Sequence, residues 1–283
     1  MSWRLEVNHH TGLRYSSAVN VSFNEVRMTP ADASGQILIA HELKVNPAAR
    51  VFSYRDYWGT AVEAFDVQEE HTKLEVVAHS IVDTPAVANR PEGLSWDYLR
   101  DQNVLETWCE FLRWSDYVDD AREDPLRADI VSQMLSLSTP RAAIDLALEE
   151  VNRRIRYASG TTSVYTTAGE AWEAGFGVCQ DYTHATLALL RAAGIPARYV
   201  SGYLHPGEGA IGDTVTGESH AWVEAWDGSW WAADPTNGSD VGERHTAIGR
   251  GRDYVDVSPL KGIYSGGFSE DLGVEVTLTR LPR

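Results

Sequence analysis

Gly175-Phe-Gly-Val-Cys179-Gln-Asp-Tyr-Thr-His-Ala-Thr-Leu-Ala-Leu-Leu-Arg-Ala-Ala193 describes a glycine-bearing loop that delivers a cysteine onto a helix. After the thiol, Tyr182, Ala185, Thr186, Leu189, Leu190 and Ala193 recur at three- and four-residue spacing, the repeat of an amphipathic or buried helix. Gly194 and Pro196 supply its stop. Cys179 thus stands at a helix N-terminus, where unpaired backbone N–H groups and the positive end of the dipole stabilise negative charge. A lone cysteine is more often a small buried hydrophobe, so a nucleophile needs partners elsewhere in the chain.

Downstream, 197–204 reads as a strand, followed by a glycine-rich loop from His205 to Glu218. Two further strands, 220–226 and 230–234, flank Asp227-Gly228, a strong hairpin signal. Counted from a turn centred on Asp227, His220 and Asp234 are each seven residues away and face each other. A slip of one residue would put them on opposite faces, so chemistry between them predicts an odd-length loop. A strand at 274–278 closes the chain.

Upstream, Asp124-Pro125 and Thr139-Pro140 each combine a cap with a first-turn proline. The second opens a helix whose stripe is Ile144, Ala147, Leu148, Val151 and Ile155, ending near Ser159 and Gly160. The cluster Asp116, Asp119, Asp120, Glu123 and Asp124 reads as solvated surface. Residues 3–84 hold six stretches of strand character (4–7, 18–28, 35–45, 51–57, 61–67 and 73–82), several alternating apolar and polar residues as half-buried antiparallel strands do. Beyond Pro85 the texture changes, with Pro91 and Gly93. Two units follow: an antiparallel β domain over 1–85, of sandwich or barrel type, and a second domain over 86–283 with a helical lead-in over 86–158.

The 283 residues are 43% hydrophobic and 10% aromatic, the composition of a globular chain. Lys and Arg total 24 against 41 Asp and Glu, a formal charge of -17, which disfavours nucleic acid and anionic lipid as partners. Cys109 and Cys179 are too few for a disulfide framework. The first residues lack a signal-peptide pattern and no run of about 18 to 20 apolar residues occurs, so the expectation is a cytoplasmic protein without a membrane span.

A thiol at a helix start, a histidine on a later strand and an aspartate on its hairpin partner are the parts of a thiol acyl-transfer site. The histidine takes the thiol proton and later protonates the leaving amine, while the aspartate orients the imidazole and stabilises its charge. The Cys179 backbone N–H is a candidate oxyanion donor, with the Trp172 indole and the Gln180 amide as candidates for a second.

Gly-Val-Cys179-Gln-Asp, then Gly-Ile-Pro-Ala-Arg-Tyr-Val-Ser-Gly-Tyr203, His220-Ala-Trp-Val-Glu and Asp234-Pro-Thr-Asn resemble the bacterial transglutaminase-like family. Residues 1–84 resemble its β-rich N-terminal domain, 162–170 the segment before its cysteine, and 251–259 its C-terminal signature. The resemblance implies an α+β protein whose papain-like transglutaminase core carries a separate N-terminal antiparallel β domain. Cys179, His220 and Asp234 fall on the nucleophile, base and orienting acid with no departure. It further implies acyl transfer or hydrolysis on peptide or glutaminyl amides through a cysteine thioester, as in a transglutaminase or cysteine protease. The partners implied are a peptide or protein amide and an amine acceptor. No cofactor or metal is implied. Tyr254 and Gly266-Gly267 approach the site by resemblance alone, and Trp222, Trp226, Trp230 and Trp231 are candidates to line an acyl or amine tunnel, or to pack the hairpin. An arylamine acetyltransferase is a minor rival, since its lead-in to the cysteine is missing. A non-catalytic interaction protein is the rival of a different class. Among the remaining residues, His9-His10 sits near a flexible start, His184 lies off the direction of Cys179 on the helix, and Asn237 is the alternative to Asp234 as orienting group. Asp213, Asp240 and Glu243 lack calcium-ligand spacing.

Overall fold

The computed structural model describes residues 2–88, 93–207, 210–217 and 219–282; Pro91, in the change of texture beyond Pro85, and Glu218, at the end of the glycine-rich loop, lie outside them. Six strands come first: β1 (Trp3–Val19), β2 (Val21–Val26), β3 (Ile37–Asn46), β4 (Val51–Arg55), β5 (Ala61–Val67) and β6 (His71–Thr84). A helical stretch follows, with α1 (Trp96–Leu99), α2 (Gln102–Thr107), α3 (Pro125–Ser136) and α4 (Pro140–Arg154). The Asp124 carboxylate accepts from Arg127 N–H and the Thr139 hydroxyl from Ala142 N–H, as the two cap signals require. α4 buries Ala143, Ile144, Ala147 and Val151 but stops before Ser159. Ile155 turns extended, and Arg156–Tyr157 (β7) pairs in parallel with Phe176–Gly177 (β8) beyond α5 (Ala168–Ala174). Asp119 is not simply solvated, because it accepts a 2.6 Å hydrogen bond from the buried Arg127 guanidinium.

α6 (Cys179–Ala192) runs through the centre, with every residue from Gln180 to Ala192 buried. A helix apolar on one face only would not tolerate this, so its polar groups are paired locally. Thr183 donates to the Cys179 carbonyl, Thr186 to that of Tyr182, and Arg191 to the carbonyls of Ala197, Arg113 and Arg252. Behind it lies an antiparallel sheet in the order β13-β12-β11-β9-β14, formed by β9 (Ala197–Leu204), β11 (Ser219–Trp226), β12 (Trp230–Asp234), β13 (Ser239–Asp240) and β14 (His245–Gly251).

The chain then passes α7 (Tyr254–Val257) and returns to the N-terminal strands, a difference from the domain limits expected at 1–85 and 86–283. β15 (Leu260–Ser265) pairs with β2, and β16 (Ser269–Leu281) lies between β1 and β10 (Thr214–Gly217). The N-terminal region therefore comprises two antiparallel sheets, β10-β16-β1-β6-β3 and β15-β2-β5-β4, built from both ends of the chain. Pairing of β15 and β16 satisfies strand edges of β2 and β1 that would otherwise lie open. β1 is also continuous over 17 residues, where separate stretches at 4–7 and from 18 were expected. One face of it serves two cores. Leu5 and Val7 pack with Tyr203 of β9 and Ile248 of β14, whereas Tyr15 and Val19 pack inside the β sandwich with Phe65 and Leu74.

Candidate active site

The geometry starts at Gly175, whose φ of +69° ends α5 in the left-handed conformation that favours glycine. Two residues on, Gly177 leaves room for Asp181: a Cβ there would lie 2.6 Å from the Asp181 side chain. Asp181 uses that room to accept from the Val178 N–H and the Thr162 hydroxyl, both at 2.7 Å, which fixes the first turn. Burial pushes its pKa up, against the opposing pull of those hydrogen bonds. Cys179 is the first residue of that turn, half-buried, with its Sγ 3.9 Å from the Ser219 carbonyl oxygen. Both cysteines are free thiols.

The hairpin brings the other two groups to the sulfur. Trp226 pairs with Trp230, so the loop is residues 227–229, three long and odd as expected. Its centre is Gly228 rather than Asp227, however, and Val223 pairs with Ala233. Asp234 is therefore diagonal to His220 rather than directly opposite, but on the same face, because a two-residue offset preserves side-chain parity. His220 Nε2 lies 2.7 Å from Asp234 Oδ2, which leaves Nδ1 as the ring nitrogen for the thiol, and Cys179 is near enough to help raise the imidazole pKa. Burial alone would depress the imidazole pKa. The hydrogen bonds to Asp234 and Cys179 outweigh it and raise the value to about 10.

Asp234 is fully buried, which would raise its pKa, yet the hydrogen bonds from His220 and His245 hold it far below the ordinary carboxylate range. Its Oδ2 accepts from His220, from His245 Nε2 at 3.3 Å and from Asn237 Nδ2 at 2.7 Å. Its Oδ1 accepts the backbone N–H of Thr236 and Asn237. Asn237 thus holds Asp234 rather than His220. His245 was not anticipated. Its Nδ1 accepts the Gly242 N–H, which fixes the tautomer that donates from Nε2. The imidazole nitrogens of His220 and His245 and the Asp234 carboxylate lie within 4.8 Å of one another, the spacing of a metal-ligand set, but hydrogen bonds through Oδ2 already account for their convergence.

A cleft of about 680 Å³ opens on one side of Cys179 and His220, walled by His9, Thr11 and Leu13 of β1, by Tyr157, Tyr165 and Tyr199, and by Tyr254 and Tyr264. A second cavity of about 480 Å³, bordered by Leu204, Pro206, Thr216, Thr236 and Asn237, is lined by the same two residues. Tyr254 lines the cleft as expected, while its backbone N–H donates to His184 Nε2, so His184 is a buried helix anchor. Gln180 also lines the cleft, but its side-chain amide donates to the Val164 carbonyl. Trp172 lies in the helical core beside Arg154 and borders neither cavity among the described residues. The four hairpin tryptophans are likewise absent from both walls. Trp222 packs edge-on against His245, Trp226 and Trp230 against Trp108, and Arg141 lies over Trp231. His9 is no flexible start, being 1% exposed at the cleft wall. No helix among the described residues is long and apolar enough to cross a membrane.

An α+β protein with a thiol-bearing central helix against an antiparallel sheet, and a β sandwich folded across the cleft, has a transglutaminase-like fold. Residues 129–235 match the transglutaminase-like superfamily and residues 5–83 the bacterial transglutaminase-like N-terminal region. An uncharacterized protein of Mycobacterium leprae is 42% identical over 280 residues, covering 99% of each chain. An uncharacterized protein of Mycobacterium tuberculosis is 33% identical over 301 residues, covering 99% of this chain and 93% of that one. The crystal structure of a proposed cysteine protease from Cytophaga hutchinsonii superposes with a TM-score of 0.79 at 21% identity, covering 100% of this chain and 92% of that one. The chain belongs to the bacterial transglutaminase-like family.

Proposed function

We propose that the protein is a cysteine-dependent enzyme acting on peptide or glutaminyl amides, by acyl transfer to an amine or to water. The observation that carries this is His220, held between the Cys179 thiol and the ionised Asp234 at the meeting point of two cavities. His220, its pKa raised by Asp234, already holds the thiol proton on Nδ1, so the sulfur attacks the amide carbonyl carbon as a thiolate. The oxyanion then faces the first turn of α6, where the N–H groups of Cys179 and Gln180 have no intrahelical partner. His220 returns the proton to the leaving nitrogen, the C–N bond breaks, and a thioester remains on Cys179. An amine or water entering through the second cavity attacks that thioester, gives its proton to His220, and releases a new amide or an acid together with the free thiol. The Gln180 backbone N–H takes the place of its side chain as second oxyanion donor.

Incubation with a glutaminyl peptide, with and without a primary amine, tests this by mass. Cross-linking replaces ammonia by the amine, and hydrolysis converts the glutamine to glutamate, about 1 Da heavier. Cys179→Ala abolishes both. Product formed equally by that variant rules the proposal out.

A further inference from the structure

β1 carries a feature that the proposed chemistry leaves unused. Along one face of this strand, Leu5 and Val7 pack against β9 and β14 and Tyr15 on the sandwich interior, while His9, Thr11 and Leu13 between them line the cleft that holds Cys179. His9 is 1% exposed, and its Nδ1 is 2.7 Å from the Tyr203 hydroxyl, with the rings edge-on at 5.5 Å. Its Nε2 is buried and has no hydrogen-bond partner. The phenol fixes the tautomer. Among the described residues the Tyr203 hydroxyl has no other partner, so its hydrogen is satisfied only by donating to Nδ1, which leaves Nε2 carrying the ring hydrogen. A buried donor without an acceptor is costly to a fold, and one at a cleft wall is explained by a group that arrives with the ligand.

The chemistry of the wall selects that group. Among the described residues lining the cleft there is no Asp, Glu, Lys or Arg; the polar side chains are hydroxyls, amides and imidazoles. This suits an uncharged acceptor, and in a peptide the abundant one is a backbone carbonyl.

We propose that His9 Nε2–H donates a hydrogen bond to a backbone carbonyl of the acyl-donor peptide, making the N-terminal β sandwich part of the substrate-binding wall. This rests on the cysteine-enzyme assignment above.

The test compares two electrophiles on the full chain: iodoacetamide, too small to span the cleft, and an uncharged dipeptidyl chloromethyl ketone, whose carbonyls reach along it. In each case the Cys179 sulfur forms the S–C bond as halide leaves. The expected result is that His9→Phe lowers the ratio of ketone to iodoacetamide rates about tenfold, the effect of one hydrogen bond. His9→Gln, which restores an N–H, recovers most of the ratio. Tyr203→Phe, which frees the tautomer without touching His9, lowers it about threefold and serves if His9→Phe does not fold. An unchanged ratio in these variants, whether both rates hold or both fall together, overturns the proposal and leaves His9 a packing or water-holding residue. Wild-type protein inert to both reagents is a different result, which removes the cysteine-enzyme assignment itself and the proposal with it.

Discussion

Replacing Asp234 by asparagine keeps the side chain's size and removes one of the two acceptor oxygens that serve five donors. Oδ2 accepts from His220, His245 and Asn237, and Oδ1 from two backbone N–H groups. Whichever way the new amide turns, its NH2 meets donors. Facing the backbone it collides with the Thr236 and Asn237 N–H groups; facing the rings it collides with both imidazoles, and His245 cannot change tautomer without opposing the Gly242 N–H. Breaking one side of a buried, hydrogen-bonded charge pair costs about 3 to 5 kcal/mol. His220 loses the partner that raised its pKa to about 10, so burial again governs the ring and favours its neutral form. The raised value contributes stability that is full below the unfolded histidine pKa of about 6.5 and is lost as pH rises through about 10. The gap between wild type and Asp234→Asn in urea unfolding is therefore largest near pH 6 and narrows toward pH 10. The rate of Cys179 alkylation at pH 6 falls about 10- to 100-fold, the worth of a charge-assisted hydrogen bond. Equal stability at pH 6, with an unchanged alkylation rate, would refute the assignment of Asp234 as the group that charges and orients His220.

Asn237→Ala removes a single donor from Asp234 and is expected to cost about 1 kcal/mol and a few-fold in turnover, well short of the near-complete loss expected of Asp234→Ala. The reverse order, read by thermal melting and peptide assay, would make Asn237 the orienting group. Gly177→Ala places a methyl 2.6 Å from Asp181 and must dislodge the cap on the Val178 N–H, so about 2 kcal/mol of stability and most Cys179 reactivity should go together. A stable, reactive variant would show that the first turn does not depend on this contact. Burial lowers the pKa of His9 to about 4 and of His184 to about 3, so both resist protonation in the folded protein. Their contribution is complete above about pH 6.5 and is lost as pH falls, about 2 to 3 kcal/mol for each at pH 4.5. A urea midpoint that is the same at pH 7 and pH 4.5 would contradict their burial as neutral rings.

The parts of the site that local chemistry dictates were legible in the sequence. Gly177, Cys179 and the apolar repeat after it place the thiol at a helix start, and side-chain alternation puts His220 and Asp234 on one face whatever the hairpin's exact register. That register was displaced because the three-residue loop centres on Gly228, with φ of +111°, and not on the more prominent Asp227. Long-range features were not legible. His245 reaches Asp234 only because β14 lies beside β9 at the sheet edge, a neighbour relation that no local pattern records. The same holds for 260–281, where only 274–278 reads as a strand and the partners β1 and β2 lie more than two hundred residues upstream. Trp222 shares the face of His220, yet it lies deeper under His245 and so packs the hairpin instead of walling a tunnel.

Selective alkylation tests for a working Cys179–His220 pair without knowledge of the substrate. Iodoacetamide reacts with the folded protein across pH 5 to 9, peptide mapping reads each cysteine, and exposed Cys109 is the internal reference. Cys179 is expected to outpace Cys109 by an order of magnitude or more at pH 6, and His220→Ala to abolish the advantage. If Cys179 reacts no faster than Cys109 and His220→Ala changes nothing, the pair does not activate the thiol and the enzymatic reading is contradicted.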